Sequence, residues 1–349
     1  MKKHPKFYSD GDIFVHIKPD ITDIMDFEEG LVPRAPAGTS EGGQWTDGMV
    51  GTTVKYKPDR TLSKEQSAIE KRFGEELDKN YEYYKKLYFA THPNIISADD
   101  IKEFSKDYIL NRGELSSAVH EPSSGMAKKL FEELLAKAPV SNTVIFMAGG
   151  TGAGKTSGIS VIPKINSNVL SADAVYDSNF STVQSAVNKI NQVLATGRNV
   201  TILYIYRDPI DAFENGVIPR MKRVGRAVPI HQHVKTHTGS FNAALVLRNL
   251  YKNNPRVNSL ALDNSNGKGG AVLISFGNLA KKAYLNKNLY DQLYESARQK
   301  RKAGTITAEQ YRGLTGERKN KIIDSFRDQE LNSRAAIEVL RRYCIAEFE

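Results

Sequence analysis

The sequence predicts an α/β fold, a doubly wound and mostly parallel sheet with helical extensions on its N- and C-terminal sides. Between residues 141 and 277, short apolar runs typical of buried strands alternate with segments of helical spacing. The flanking segments 61–140 and 278–349 carry apolar residues at three- and four-residue steps. Of the 349 residues, 40% are apolar and 26% are charged, which is the composition of a soluble globular protein.

The N-terminal 140 residues are predicted to be a mostly helical region that precedes the sheet. Residues 1–60 are rich in Gly, Pro, Asp and Thr, so we expect an irregular, partly disordered segment. Its single tryptophan, Trp45, is expected to dock onto a core or a partner. Three helices are expected after it, beginning at Ser63, Ser97 and about Ser123. The first has a capping box, since Gln66 follows Ser63 by three residues.

Five strands are predicted in the central region, at Thr143–Ala148, Asn168–Ala172, Asn199–Tyr206, Asn258–Leu262 and Ala271–Phe276. The first is a continuous apolar run, as expected for a strand buried on both faces. The last two flank a loop with strong turn chemistry, which favours an antiparallel hairpin at one edge of the sheet. Helices are predicted at Thr182–Ala195, Ile210–Met221, Phe241–Tyr251, Tyr284–Lys300, Ala308–Leu314 and Glu317–Phe348.

A glycine-rich loop follows the first predicted strand and precedes a helix-capable segment. Its sequence, Gly149-Gly-Thr-Gly-Ala-Gly-Lys-Thr156, matches the P-loop pattern G-x-x-x-x-G-K-[ST] in the required context. Glycines let backbone N–H groups approach a β-phosphate, Lys155 reaches the β- and γ-oxygens, and the Thr156 hydroxyl is a ligand for Mg²⁺. We therefore expect ATP and Mg²⁺ here, with GTP as the alternative nucleotide. The expected nucleotide-binding residues are Gly149, Gly150, Thr151, Gly152, Ala153, Gly154, Lys155, Thr156 and Ser157.

The sequence that follows this loop favours a kinase over other classes of P-loop protein. A GTPase would carry an Asn-Lys-x-Asp motif, which is absent from the sequence. A motor-type ATPase would carry an apolar strand ending in Asp-Glu, which Leu260–Asp263 matches poorly. Instead, an acid follows the loop closely and arginines follow far downstream, which is the arrangement of a small-molecule or nucleotide kinase.

Two aspartates are candidates for the acid. Asp173 ends the predicted second strand, and in an open parallel sheet the carboxyl ends of strands form the ligand crevice. There Asp173 would accept the proton of the acceptor hydroxyl, or hold Mg²⁺ together with Thr156. Asp177 follows four residues later and is the alternative base or a contact to the substrate. Arg207 and Asp208 end the third predicted strand and are further candidates for this crevice.

Arginines and histidines cluster further along the chain. Phosphoryl transfer spreads negative charge over three equatorial oxygens, which a closing segment of arginines can neutralise. The candidates for this role, or for binding substrate, are Arg220, Arg223 and Arg226. Three histidines follow at His231, His233 and His237. Because no carboxylate or cysteine accompanies them, a contact with substrate or phosphate, assigned to His233, is favoured over a metal site.

Together, these features resemble the zeta-toxin family of P-loop kinases over roughly residues 140–265. The resemblance rests on the glycine-rich loop, Ser171-Ala-Asp173, the Val200–Pro209 strand, and the Arg220…Arg226-Ala-Val-Pro segment with its trailing histidines. It implies a kinase that uses ATP and Mg²⁺ to phosphorylate a sugar hydroxyl of a UDP-activated amino sugar. It also implies that Lys155 and Thr156 bind ATP and Mg²⁺, and that Arg220 and Arg226 clamp the transferred phosphate. The base would be Asp173, with Asp177 as the alternative.

A second resemblance concerns the segment Ala35-Pro-Ala-Gly-Thr-Ser-Glu-Gly-Gly-Gln-Trp45, which is similar to a short motif of phage head-associated and other mobile-element proteins. It implies a phage or plasmid setting, with an antitoxin or a phage protein as a partner. The expected location is the cytoplasm, that of the host cell if the chain is phage-encoded, with virion association as the alternative. No apolar run is long enough for a transmembrane helix, so no membrane partner is expected.

Two other functions remain open alongside a kinase that acts on a small molecule. The net charge of +9 favours contact with phosphates, and so a nucleic-acid end kinase. Against it, the basic runs at 298–302 and 318–321 lack interleaved aromatic residues. The third function is a non-catalytic phage protein that keeps the loop for packing, against which the intact Lys155-Thr156 pair argues. The lone Cys344 excludes an internal disulfide.

Overall fold

The fold is built on one twisted sheet. The computed structural model describes residues 52–267, 269–282 and 289–316. Within them, six strands lie in the order β1-β3-β2-β4-β5-β6, and all neighbours are parallel except β5 and β6. The strands are β1 (Ile95–Ser97), β2 (Thr143–Ala148), β3 (Ala174–Asp177), β4 (Asn199–Tyr206), β5 (Val257–Asp263) and β6 (Val272–Ile274).

Helices precede, connect and follow these strands. Those before β2 are α1 (Lys64–Lys79), α2 (Tyr81–Thr91), α3 (Ala98–Ile101), α4 (Lys106–Leu110), α5 (Arg112–Leu115) and α6 (His120–Ala136). Those within the sheet region are α7 (Lys155–Ser160), α8 (Pro163–Ser171), α9 (Val183–Ala195), α10 (Pro209–Ala212), α11 (Ile218–Val224), α12 (Ile230–Leu250) and α13 (Phe276–Ala280). The last two described are α14 (Leu289–Lys302) and α15 (Ala308–Thr315). A π-helical turn, Phe213–Val217, joins α10 to α11.

Both faces of the sheet are covered by helices. Along β2, Val144 and Phe146 belong to a core that also contains buried residues of α6, α9 and α12. Ile145 and Met147 point to the other face and pack with residues of α7 and α8. Because successive side chains of a strand alternate between faces, a strand buried on both sides must be apolar throughout. The continuous run Thr143–Ala148 is explained in this way.

Several predicted elements are confirmed. Ser63 caps α1, with both hydrogen bonds of the capping box to Gln66 present. The strands predicted at Thr143–Ala148 and Asn199–Tyr206 have the predicted bounds. The antiparallel hairpin at the sheet edge is also present, as β5 and β6. The second predicted strand, Asn168–Ala172, is wrong, because residues up to Ser171 form the end of α8.

The region before residue 140 contributes to the sheet, although the sequence predicted only helices there. Ile95–Ser97 pairs in parallel with β3, and Ile96 is fully buried in the same core as Val144. Residues of α1, α2 and α6 belong to that core as well. The boundary predicted between residues 140 and 141 therefore crosses one continuous hydrophobic core.

Some predicted features lie outside the described residues. These are Trp45 and the rest of residues 1–51, the first part of the helix predicted at Tyr284–Lys300, the helix at Glu317–Phe348, and Cys344. Among the helices that the structure describes, none combines the length and the apolar character needed to cross a membrane.

Candidate functional site

The Gly149–Thr156 loop leaves the carboxyl end of β2 and turns into α7, which starts at Lys155. Two of its glycines have left-handed backbone conformations, with φ of +73° at Gly152 and +72° at Gly154. A Cβ at Gly152 would also lie 2.6 Å from the carbonyl oxygen of Ala212. A side chain at either position would strain the loop, so glycine is required by the backbone path.

Helix α12 braces the middle of this loop. The imidazole of His233 contacts the Thr151 hydroxyl through Nδ1 at 2.7 Å, and its Nε2 donates to the carbonyl of Pro209 at 2.8 Å. His237 Nε2 donates to the Thr151 carbonyl at 2.8 Å, and the Thr151 amide donates to the hydroxyl of Thr236 at 3.2 Å. Thr151 is therefore held through its amide, its carbonyl and its side chain.

Both histidines of this brace are neutral. Burial lowers the pKa of His233 to about 4, opposed only by its bond to the Pro209 carbonyl. Burial, followed by the neighbouring His233, lowers the pKa of His237 well below its ordinary value. His233 is completely buried, so its predicted role as a substrate contact is wrong. It stabilises the loop from behind.

The ends of β4 and β5 fix the next two peptides of the loop. Arg207, directly after β4, donates from Nη1 to the Gly152 carbonyl at 3.1 Å. Asn264, directly after β5, is buried and donates to the Ala153 carbonyl at 2.8 Å. Because these carbonyls are occupied by protein donors, the loop cannot turn its oxygens toward an anionic ligand. Asn264 was not predicted from the sequence as a residue of this site. It lies just after a predicted strand, and residues at the carboxyl ends of parallel strands line the ligand crevice.

Lys155 pairs with Asp177, the last residue of β3. The Lys155 Nζ lies 3.5 Å from Asp177 Oδ1 and donates to Asn179 Oδ1 at 3.3 Å. In the sheet, Asp177 is level with Met147 of β2 and Ser97 of β1, so it stands beside the glycine-rich loop. Burial raises the pKa of Asp177, which Lys155 opposes and Asp99 reinforces. A carboxylate with a raised pKa is a better proton acceptor near neutral pH.

Asp173 lies at the amino ends of β2 and β3, opposite the loop at the carboxyl end of β2, so the predicted catalytic and metal-binding roles of Asp173 are wrong. Its amide donates to the carbonyl of Thr143, the first residue of β2, at 2.9 Å. Its carboxylate accepts from the amide of Ser141 at 2.7 Å and from Nε of buried Arg198 at 3.0 Å. The error arose because α8 was interpreted as a strand, which placed Asp173 after a strand instead of before one.

The three predicted arginines have different surroundings. Arg226 is 11% exposed and forms an ion pair with Asp99. Arg220 is exposed; desolvation by the surrounding protein, then the charge of Arg226, lowers its pKa, while Asp99 and Asp100 act in the opposite direction. Arg220 and Arg226 therefore belong to one charged cluster. Arg223 is exposed, and the structure does not bring it into this cluster.

The acidic side of this cluster comes from α3 and was missed by the sequence analysis. Asp99 and Asp100 follow β1, which neighbours β3 in the sheet. Lys102, one turn later, is buried and lies 3.2 Å from Asp99 Oδ1. In the sequence, the apolar pair Ile95-Ile96 is followed closely by two acidic residues, which indicates a strand that ends at a polar site. A strand of only three residues is too short to be recognised from periodicity. Asp99 and Asp100 both act on the pKa of Asp177.

The loop could hold Mg²⁺ only through a small number of protein ligands. The described residues contain no group of three or more His, Cys, Asp or Glu side chains that could hold a metal. Mg²⁺ beside a nucleotide is ordinarily held by one or two protein oxygens together with phosphates and water. Thr156 is the second residue of α7 and follows Lys155, whose Nζ lies 3.5 Å from Asp177 Oδ1, so the Thr156 hydroxyl and the Asp177 carboxylate supply oxygens of the kind such a site needs. Asp263 does not offer a free carboxylate, because Lys282 lies 2.8 Å from it.

Comparison with known proteins leaves the chain without an assigned family. No protein-family model matches it, and no curated protein matches it significantly. The functional interpretation therefore depends on the geometry of this site and on the motifs of the sequence.

Proposed function

We propose that this chain is a phosphotransferase that binds ATP and Mg²⁺ on the Gly149–Thr156 loop and transfers the γ-phosphoryl group to a hydroxyl. The main support is the juxtaposition at the loop: Lys155 lies 3.5 Å from a half-buried carboxylate, Asp177. A loop that binds a triphosphate thus adjoins a group able to take up a proton. Such a pairing is what phosphoryl transfer to an alcohol requires.

Each residue has a distinct role in the proposed reaction. Lys155 binds the β- and γ-phosphate oxygens, and Thr156 is the protein ligand to Mg²⁺, which neutralises phosphate charge when bound. Asp177 accepts the proton of the acceptor hydroxyl while that oxygen forms a bond to the γ-phosphorus. The bond from this phosphorus to the β,γ-bridging oxygen breaks, and ADP leaves. Arg226 and Arg220 neutralise the charge on the equatorial oxygens.

The resemblance to zeta-toxin kinases supports one acceptor class as the first to test, a UDP-activated amino sugar. Under that proposal the chain acts in the cytoplasm of a bacterium, and an antitoxin or a phage protein is its partner. The position of Asp177 supports it, because Asp177 was the alternative base under this resemblance and lies 3.5 Å from Lys155 of the loop. The charge of the acceptor would be balanced by the arginines of the cluster.

The proposal is tested with ATP radiolabelled at the γ-phosphate and a panel of acceptors. The panel contains UDP-activated amino sugars, free nucleotides and oligonucleotides, so that a nucleic-acid end kinase is distinguished in the same experiment. The wild type is expected to label one class of acceptor. Lys155→Ala is expected to reduce labelling by about 100-fold or more, because the charge on the β- and γ-oxygens loses its partner.

Lys71→Ala is the matched control, since Lys71 is 74% exposed and lies in α1, outside the site. It should label the acceptor at the wild-type rate. If no acceptor is labelled by the wild type, or if Lys155→Ala labels it as fast as the wild type does, the proposed function is wrong.

A further inference from the structure

A carboxylate outside the loop and outside the arginine segment pairs with Arg226. Asp99 is the second residue of α3, and α3 begins directly after β1. Arg226 follows Gly225, whose left-handed conformation ends α11. The two residues are 127 positions apart in the sequence, and both Asp99 oxygens accept hydrogen bonds from Arg226 Nη2 at 2.8 Å.

The pair leaves part of the guanidinium available. Both Asp99 contacts use the same terminal nitrogen, Nη2. The Arg226 Nε is buried and has no hydrogen-bond partner among the described residues. An unpaired buried N–H is costly, and a ligand oxygen is the partner that would remove this cost. A guanidinium that a carboxylate holds at one nitrogen presents its remaining N–H groups in a fixed orientation, which suits it to bind an anionic group.

Lys102 makes the Asp99 contact a network of three charges. Its Nζ lies 3.2 Å from Asp99 Oδ1 and donates to the hydroxyl of Ser116 at 3.3 Å. One carboxylate therefore carries two cations, and the network has a net charge of about +1 at neutral pH. Burial raises the pKa of Asp99, but Arg226 and Lys102 outweigh it and hold that pKa well below its usual range. Asp99 therefore stays ionised and keeps its hold on Arg226.

We propose that Asp99 is a positioning residue for phosphoryl transfer: it orients the guanidinium of Arg226 toward the transferred group. This inference rests on the proposed function and adds to it a residue of α3. That helix follows β1, the strand next to the one that ends at Asp177. Among the described residues, Asp99 forms hydrogen bonds and ion pairs with Arg226 and Lys102 and none with the Gly149–Thr156 loop, which includes Lys155. Its removal should therefore reduce the rate of transfer and leave the binding of ATP unchanged.

A double-mutant cycle separates positioning from general stabilisation. The variants are Asp99→Asn, Arg226→Ala and the double variant. Three quantities are measured for each: kcat for transfer of labelled phosphate to the acceptor that the panel identifies, KM for ATP, and the melting temperature. Arg226→Ala is expected to lower kcat by about 100- to 1,000-fold, and Asp99→Asn by about 10- to 100-fold. In the Arg226→Ala background, adding Asp99→Asn should change kcat by less than about twofold, since the residue it positions is already gone.

Asp107→Asn is the matched control. Asp107 also pairs with an arginine, Arg72, at 2.6 Å, in the same helical region but outside the cluster. Its kcat should equal that of the wild type. If Asp99→Asn does not fold, Asp99→Glu completes the same cycle, because it keeps the charge and displaces the guanidinium. An intermediate kcat is expected for it.

The outcomes distinguish the two proposals. Wild-type protein that transfers no phosphate overturns the proposed function and this inference together. Active wild type with an unchanged kcat in the Asp99 variants overturns only the positioning role. So does a cycle in which the two single effects multiply, because Asp99 would then act independently of Arg226.

Discussion

At the scale of single residues, two aspartates four positions apart lie at opposite ends of one strand. Asp173 precedes β3 and Asp177 ends it, so roughly 13 Å of extended chain separates them. Which of them reaches the loop depends on where a four-residue strand begins. Sequence periodicity does not locate so short an element, because Asn168–Ala172 has the same apolar character as a strand. The glycine-rich loop lies between a strand and a helix as the sequence predicted, because the motif fixes the spacing residue by residue.

Asparagine substitutions at these two positions test the exchange of roles. Asp177→Asn is expected to lower the rate of phosphoryl transfer by about 100- to 1,000-fold, because the proton acceptor is lost. Asp173→Asn is expected to leave the rate near that of the wild type. It should reduce the free energy of unfolding by about 2–4 kcal/mol, since Arg198, 2% exposed, loses its charged partner. Steady-state kinetics and denaturant unfolding on both variants give the comparison, and the reverse pattern would restore Asp173 as the base.

At the scale of elements, α12 is a structural support for the loop. His233, Thr236 and His237 are spaced three and one residues apart, so they share one face of the helix. The sequence analysis found the histidines but started the helix at Phe241, eleven residues after its true start at Ile230. Without helical spacing, the cluster resembled a surface contact for phosphate. Pro229 is a residue type that often precedes or begins a helix. Starting the predicted helix there would have put these three side chains on one face.

This support makes the stability of the protein depend on pH. Unfolded histidine has a pKa near 6.5, whereas His233 has a pKa of about 4 in the folded protein. As the pH falls from about 6.5 to about 4, the unfolded chain binds a proton that folded His233 excludes, so the free energy of unfolding decreases. Above about pH 6.5 this group contributes no slope. The pKa of the neighbouring His237 is lowered by burial, then by His233, and further by Lys155 and Arg207.

His233→Gln should show a shallower decrease over the same pH range, by about 1 kcal/mol per pH unit, because the variant has no titrating group at this position. The measurement is the free energy of unfolding in denaturant at intervals between pH 7 and pH 4.5. Equal slopes for the wild type and the variant would mean that His233 accepts a proton in the folded protein, against its neutral role in holding Thr151.

At the scale of the whole molecule, the helices before residue 140 and the sheet form one core. Ile96 of β1 and Phe131 of α6 are buried in the same cluster as Phe146 of β2. The sequence did not predict β1, because this strand has three residues and no periodicity to detect. The change of composition near residue 140 reflects a switch of element type within one core, and the sequence analysis interpreted it as a boundary between regions.

The predicted boundary can be tested by expressing residues 141–277 without the rest of the chain. This fragment lacks β1 and α6, so one face of the sheet would expose buried apolar side chains. We expect no cooperative thermal transition for the fragment by circular dichroism, whereas the full chain should show one. A fragment that melts cooperatively near the temperature of the full chain would show that residues 141–277 fold independently.

The central claim is that the Gly149–Thr156 loop binds a nucleoside triphosphate. Isothermal titration of the full chain with ATP in the presence of Mg²⁺ tests it most directly, with Lys155→Ala and Lys71→Ala measured beside the wild type. We predict saturable binding at one site for the wild type and for Lys71→Ala, and a loss of affinity of about 100-fold for Lys155→Ala. Absence of binding to the wild type, or equal affinity in Lys155→Ala, would contradict the claim.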